Sequence, residues 1–172
     1  LHIAAMALGV KGGDNVICTP MTFASSANCI RFCGGNVKFV DIDPETYLLD
    51  INKLKEILST APKGTYKGMV LVDFAGYPHN MEGYRKVADE YGMWILEDAC
   101  HAPGAYFIDS TGERVYCGCG KYSDITVFSF HPVKHITTGE GGMACTQNKE
   151  YYEKMALYRT HGITHEAEKL QR

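Results

Sequence analysis

The most informative part of the sequence is Phe128-Ser-Phe-His-Pro-Val-Lys134-His-Ile-Thr-Thr-Gly-Glu-Gly-Gly142. It continues an apolar, strand-like run that starts at residue 125, and it brings one lysine into a bend between Pro132 and the final pair of glycines. A lysine held in such a bend can lose hydration, and a desolvated amine is easier to deprotonate and to use as a nucleophile. Amines of this kind form Schiff bases with carbonyl compounds. A lone lysine after a strand is more often a solvated surface residue, so Lys134 needs support from a second motif.

That second motif is Trp94-Ile-Leu-Glu-Asp98-Ala-Cys-His101-Ala-Pro-Gly-Ala105. It reads as a short buried strand that ends in a carboxylate, and ligands of open α/β sheets lie outside the carboxyl ends of the strands. Taken alone, Asp98 fits a helix cap or a turn, and His101 fits a core histidine, equally well. Together, the acid and the lysine fit a site for pyridoxal phosphate (PLP). The acid would keep the pyridine nitrogen protonated, and the lysine would carry the cofactor.

Strand-like and helical patterns alternate along the whole chain. The predicted strands are 15–19, 37–42, 69–74, 94–98, 125–130 and 143–146, and the predicted helices are 23–33, 51–59, 81–91 and 149–161. Asp50 and Asn80 stand at N-cap positions, and residues 109–113 look like a hairpin turn. This alternation predicts a three-layer α/β/α domain with a mostly parallel sheet covered on both faces.

Composition and motif content exclude several classes of function. A chain of 172 residues is long enough for one domain with a real core. The net charge of −3 gives no electrostatic reason to expect nucleic acid or a membrane surface as a partner. No stretch is long and apolar enough to span a bilayer, and the first ten residues lack the basic region of a signal peptide. We therefore predict a cytoplasmic protein.

The seven cysteines do not form a recognisable metal or disulfide pattern. The spacing of Cys117 and Cys119 is too tight for a zinc knuckle, and the pair His161 and His165 lacks the glutamate of a metalloprotease helix. We predict reduced thiols and no metal.

Dinucleotide, P-loop and serine-hydrolase motifs are also absent from the sequence. Residues 139–142 are interpreted as a tight turn into the next strand.

The two blocks together resemble the DegT/DnrJ/EryC1/StrS family of sugar-nucleotide aminotransferases, which are fold-type I PLP enzymes. The resemblance runs from residue 1 to about residue 164 and includes Thr19-Pro-Met-Thr-Phe-Ala-Ser-Ser-Ala-Asn28 and shorter blocks at 40–43, 72–76 and 159–162. The pair Glu-Asp-Ala-x-His-Ala and Ser-Phe-His-Pro-x-Lys is far more specific than either block alone. The resemblance implies a PLP-binding large domain over residues 1–164 and the start of a connection to a second domain at 165–172.

The resemblance also implies a role for each of five site residues. Lys134 matches the lysine that forms the internal aldimine, a Schiff base, and then moves the proton. Asp98 matches the partner of the pyridine nitrogen, and His101 stands near the phenolic oxygen. Ser129 matches the serine that binds the phosphate. Phe23 occupies the position that stacks on the pyridine ring, although its residue type alone would assign it to the core.

The activity implied is transfer of an amino group from an amino acid, glutamate by family habit, to a nucleotide-linked 4-keto-6-deoxy sugar, in a homodimer. Residues 135–142 look most like the enzymes that aminate C4 of UDP-linked 4-keto-6-deoxy hexosamines, on routes such as that to pseudaminic acid. Related dehydratases carry histidine in place of the lysine, so Lys134 argues against them. Two alternatives stay open: another fold-type I enzyme, such as a desulfurase or a quinate-type ring aminotransferase, and a non-catalytic α/β binding module.

The ends of the chain lead to one more expectation. The helix predicted over residues 1–10 has no capping residue before it. In the family, a Gly-Thr or Ser-Thr turn precedes this helix and holds the phosphate at its N-terminus, and a second domain follows the large one. We therefore expect the chain to be an internal fragment of a longer enzyme, with weak or no activity by itself.

Overall fold

A six-stranded sheet forms the centre of the molecule. The computed structural model describes residues 1–163. The strands are β1 (Asn15–Cys18), β2 (Asn36–Phe39), β3 (Tyr66–Val72), β4 (Trp94–Asp98), β5 (Tyr106–Ile108), β6 (Arg114–Tyr116), β7 (Ile125–Ser129) and β8 (Gly142–Cys145). The main sheet has the order β2-β1-β3-β4-β7-β8. Its first five strands are parallel to their neighbours, and β8 runs antiparallel to β7. The prediction of a mostly parallel sheet is confirmed.

Helices cover both faces of this sheet. They are α1 (His2–Ala7), α2 (Ser25–Phe32), α3 (Ile51–Thr60), α4 (Met81–Tyr91) and α5 (Lys149–Arg159), with a single 3₁₀ turn at Phe74–Gly76. One apolar core joins the sheet to α1, α2 and α5, and a second joins it to α3 and α4. The predicted three-layer architecture is therefore confirmed.

The central strand β3 shows why the strands appear in the sequence as continuous apolar runs. Val70 and Val72 belong to the core beneath α2, whereas Met69 and Leu71 belong to the core beneath α4. Successive side chains of a strand point to opposite faces, so a strand buried on both faces needs an apolar residue at every position. Full burial of each such side chain contributes roughly 1.5–3 kcal/mol to folding.

The two predicted N-cap residues, Asp50 and Asn80, differ in whether their side chains cap the helix. The Asp50 carboxylate accepts hydrogen bonds from Asn52 N and Lys53 N at 2.7 and 3.3 Å, so this N-cap of α3 is confirmed. Asn80 occupies the predicted N-cap position of α4, but its side chain makes no cap hydrogen bond. The backbone closes this end of α4 instead, since Gly83 N donates to Asn80 O at 3.1 Å.

One strand ends earlier than predicted because polar side chains redirect the backbone. The second strand was expected to reach residue 42 but ends at Phe39, and Asp43 then accepts from Glu45 N and Thr46 N, both at 2.9 Å, to form a tight loop. The predicted hairpin at 109–113 is confirmed between β5 and β6. The predicted boundary after residue 164, and His165, lie outside the described residues. Among residues 1–163, no helix has the length and apolar character needed to cross a membrane.

Candidate active site

The carboxyl ends of neighbouring strands create the candidate site. Asp98 is the last residue of β4 and Ser129 the last of β7. Because β4 and β7 are parallel neighbours, both residues lie at the same edge of the sheet. They line a cavity of about 300 Å³ together with Lys134, His101 and Phe23. The structure thus brings all five predicted site residues to one cavity, whose other lining residues are Thr22, Ser25, Val72, Phe74, Cys100, His131 and Val133.

The carboxylate of Asp98 is buried and held by neutral donors. Its side chain accepts from Ser26 Oγ at 2.5 Å and from Cys100 N at 3.3 Å, and Thr22 Oγ1 lies 2.7 Å from Ser26 Oγ. None of the ion pairs formed by residues 1–163 includes Asp98. A buried carboxylate is costly without a positive partner, so a cationic or N–H group of a ligand in the cavity would stabilise it.

Lys134 lies in the loop that joins the antiparallel strands β7 and β8. The turn is closed by Lys134 N, which donates to His131 O at 2.9 Å, and the residue is half-buried. Thr138 N donates to Phe130 O at 3.0 Å, and Gly139 has φ 81°, a left-handed value that favours glycine. Residues 139–142 form the predicted turn into β8, and the loop presents the lysine to the cavity.

The imidazole and the thiol beside Asp98 have shifted pKa values. Burial lowers the pKa of His101, and the charge of Lys134 acts in the same direction while Asp98 opposes it. A neutral ring at pH 7 can donate from one nitrogen and accept at the other. Burial, followed by the charge of Asp98, raises the pKa of the Cys100 thiol to about 12. Cys100 is therefore a protonated wall residue and not a nucleophile.

Phe23 corrects an expectation based on residue type. A phenylalanine is normally assigned to the core, but Phe23 is 77% exposed and lies just before α2, beside the cavity. A large exposed ring at a cavity wall is an available surface for a flat partner.

Ser129 presents a hydroxyl group to the same cavity. His131 N donates to Ser129 Oγ at 3.4 Å. Because the oxygen accepts in that contact, the hydroxyl proton can be donated to an anionic group in the cavity.

Sequence reasoning missed Ser26, which holds the Asp98 carboxylate. Ser26 is fully buried and shares the inner face of α2 with Cys29 and Ile30. Their spacing of three and four residues is the signal that could have found it, since a buried serine on an apolar helix face needs a hydrogen-bond partner.

A second buried polar cluster lies on the opposite face of β4. Candidate ligand atoms of Asp73, Glu97 and Cys117 all lie within 4.8 Å of one another. Cys117 Sγ donates to Asp73 at 3.4 Å, and Thr126 Oγ1 donates to Glu97 at 2.5 Å. Burial and then the charge of Asp73 raise the pKa of Glu97 to about 7, and burial also raises the pKa of Cys117. Asp73 also accepts from His79 N at 3.0 Å, and Glu97 accepts from Ser123 Oγ at 3.0 Å. Hydrogen bonds within the described chain therefore satisfy this cluster without an ion, and the prediction of no metal stays a prediction. All seven cysteines are free.

The acid and the lysine at the carboxyl edge of a mostly parallel sheet place this chain in the class of α/β proteins that bind ligands at that edge. The chain belongs to the DegT/DnrJ/EryC1/StrS aminotransferase family, whose model matches residues 1–172. The chain is 39% identical over 163 residues to the UDP-4-amino-4,6-dideoxy-N-acetyl-beta-L-altrosamine transaminase of Campylobacter jejuni. The aligned region covers 95% of this chain and 41% of that protein. The chain spans about 40% of the length of the curated relatives it matches.

Solved structures support the same fold. A Bacillus subtilis protein with bound cofactor PMP superposes with a TM-score of 0.82 at 30% identity, covering 99% of this chain and 36% of that one. A Helicobacter pylori aminotransferase involved in the biosynthesis of pseudoaminic acid superposes with a TM-score of 0.78 at 28% identity, covering 95% and 43%. The chain therefore has the fold of the large domain of fold-type I PLP-dependent transferases, as the resemblance implied.

Proposed function

We propose that the whole protein transfers an amino group from an amino acid to a nucleotide-linked 4-keto-6-deoxy sugar, with PLP as its cofactor. The observation that carries the proposal is the convergence of Lys134, Asp98, His101, Ser129 and Phe23 on one cavity of about 300 Å³. Membership of an aminotransferase family and the name of the Campylobacter relative support the same activity.

The residues of the cavity fit PLP, which supplies, when bound, a ring that accepts electrons from the α-carbon of an amino acid. Asp98 is a buried carboxylate that pairs with no cation among residues 1–163, so it would receive the protonated ring nitrogen. Phe23 offers an exposed ring face for the flat cofactor, and Ser129 offers a hydroxyl donor for its phosphate. The amine of Lys134 would hold the aldehyde.

The chemistry assigned to this chain is mainly proton transfer and positioning. Lys134 Nζ would take a proton from the donor's α-carbon and later return one to the carbon of the acceptor. One amine serves both half-reactions because both place the reacting carbon at the same point of the cavity. His101, kept neutral by the lowered pKa, would hydrogen-bond the cofactor's oxygen without adding a competing charge.

For the substrates, we propose glutamate as donor and C4 of a UDP-linked 4-keto-6-deoxy hexosamine as acceptor, in a cytoplasmic homodimer. The loop at residues 135–142 and the name of the Campylobacter relative support this choice of acceptor. Residues 1–164 would be the PLP-binding domain, with residues 165–172 starting the connection to the next.

Replacement of the lysine in the full-length protein tests the proposal. Lys134→Ala should abolish the visible absorbance of bound PLP and lower turnover of glutamate and the UDP-linked keto sugar by about 10³-fold or more, because Lys134 is the only lysine among the described residues that line the cavity. Lys38→Ala, which removes an exposed lysine on β2 outside the cavity, should keep both signals. Retained transamination in Lys134→Ala would contradict the assignment. A wild-type protein that stays colourless with added PLP would favour the non-catalytic binding module.

A further inference from the structure

Backbone strain is concentrated beside the candidate site. Three non-glycine residues of the described chain have left-handed φ values: Tyr47 at 59°, Ala75 at 53° and His161 at 58°. His161 lies just past α5, where left-handed residues commonly end helices. Tyr47 lies in the loop between β2 and α3, and Ala75 lies in the turn that follows β3. These two segments touch, because the rings of Tyr47 and Phe74 lie 6.1 Å apart between centroids. Strained residues persist where the surrounding structure enforces them, and they concentrate at functional sites.

The loop between β2 and α3 enforces the conformation of Tyr47. Tyr47 N donates to Asp43 O at 2.8 Å, and the Asp43 carboxylate also accepts from Thr46 Oγ1 at 3.1 Å. An isolated bridge between Ile42 and Leu49 closes the base of the loop. The loop therefore holds a half-exposed tyrosine ring against Phe74 at the end of β3.

The segment on the other side is fixed just as firmly. Phe74 lines the candidate cavity, and the left-handed Ala75 turns the chain directly after it. Gly76 has φ 85°, and a Cβ atom at this position would lie 2.7 Å from His101 O. Only glycine fits here, so the turn packs directly on the loop that carries His101. Phe74 is thus held from both sides as a rigid part of the cavity wall.

We propose that Tyr47 is a positioning residue for the amino acceptor, acting through Phe74, whose ring forms the wall on which the acceptor's sugar ring packs. This inference rests on the proposed function. One face of a pyranose presents C–H groups, which pack well on an aromatic ring, whereas an amino-acid donor needs cations for its carboxylate. The Tyr47–Phe74 pair carries no charge, so the pair suits the sugar and not the donor.

The test uses Tyr47→Asn in the full-length enzyme, since asparagine tolerates a left-handed backbone and removes only the ring. The KM for the UDP-linked keto sugar should rise about three- to tenfold, as expected for loss of one aromatic contact. The value of kcat, the half-reaction with glutamate and the affinity for PLP should stay within twofold. Tyr47→Phe keeps the ring and should restore the wild-type KM.

Tyr116→Asn is a matched control. Tyr116 is 48% exposed, against 47% for Tyr47, and its ring lies 5.5 Å from that of Tyr106 on the hairpin, outside the cavity. Its acceptor KM should equal that of the wild type. An unchanged KM in Tyr47→Asn, or an equal rise in Tyr116→Asn, would overturn the inference while leaving the proposed function intact. A wild-type enzyme that aminates no keto sugar would instead refute the proposed function, and this inference with it.

Discussion

Asp98 and Asp109 are buried to nearly the same extent, 4% and 5% exposed, but their surroundings are opposite. On the β5–β6 hairpin, Asp109 accepts from Lys121 Nζ at 2.7 Å and Tyr122 OH at 3.1 Å, so its charge is neutralised within the chain. At the carboxyl edge of the sheet, the donors that Asp98 finds among residues 1–163 are one hydroxyl group and one backbone amide. A buried acid that the described chain already pairs is structural, whereas one that faces a cavity without a cation is available to a ligand.

The largest effect that this comparison predicts is on turnover. Asp98→Asn in the full-length enzyme should lower kcat by about 10³-fold or more, because the interaction with the ring nitrogen strengthens chiefly in the transition state. The fold should persist, since an amide oxygen can still accept from Ser26 Oγ. Steady-state kinetics and a thermal melt measure the two quantities. A variant that keeps its rate within tenfold of the wild type would show that the two acids are not functionally different.

Asp109→Asn should show the reverse pattern, with turnover unchanged and a melting temperature lower by about 2–4 °C. The hydrogen bond from Lys121, followed by that from Thr111, lowers the pKa of Asp109. The stabilisation is therefore present above the unfolded carboxyl pKa of about 3.9 and is lost as the pH falls through the lower folded value. The melting temperatures of the wild type and Asp109→Asn should differ by a constant amount from about pH 5 to 8, and the difference should shrink as the pH falls below about 4. A loss of turnover comparable to that of Asp98→Asn would contradict a structural role.

The sequence predicted the sheet and the position of the site for clear physical reasons. Strands buried on both faces, such as β3 and β4, must be continuously apolar, and residues that follow parallel strands must gather at one edge. The sequence therefore predicts that Asp98 and Lys134 lie at the same edge of the sheet.

Features that depend on the three-dimensional path of the backbone could not be predicted in this way. Phe23 looks like a core residue until the backbone places it outside the start of α2. Asn80 has the residue type of a cap, but the local backbone already closes that helix. The contact between Tyr47 and Phe74 joins residues 27 positions apart through two strained turns, and no local pattern encodes it.

The smallest predicted effect concerns Glu97, the neighbour of Asp98 on β4, which points away from the cavity. Burial and then the charge of Asp73 raise its pKa to about 7. Because an unfolded glutamate ionises near pH 4.3, the wild-type free energy of unfolding should fall, relative to that of Glu97→Gln, as the pH rises from about 4.3 to 7. The slope should be at most about 1.4 kcal/mol per pH unit and should vanish above pH 7.

Urea unfolding of both proteins at several pH values measures this difference. Turnover should change little in Glu97→Gln, because the two carboxylates lie on opposite faces of the sheet and Glu97 bonds only to Ser123 and Thr126 among the described side chains. A pH-independent difference would mean that Glu97 is already ionised at pH 5. Asp73, whose carboxylate lies 2.9 Å from His79 Nδ1, would then face an ionised Glu97, and a cation bound by the two carboxylates and Cys117 would become the better explanation of the cluster.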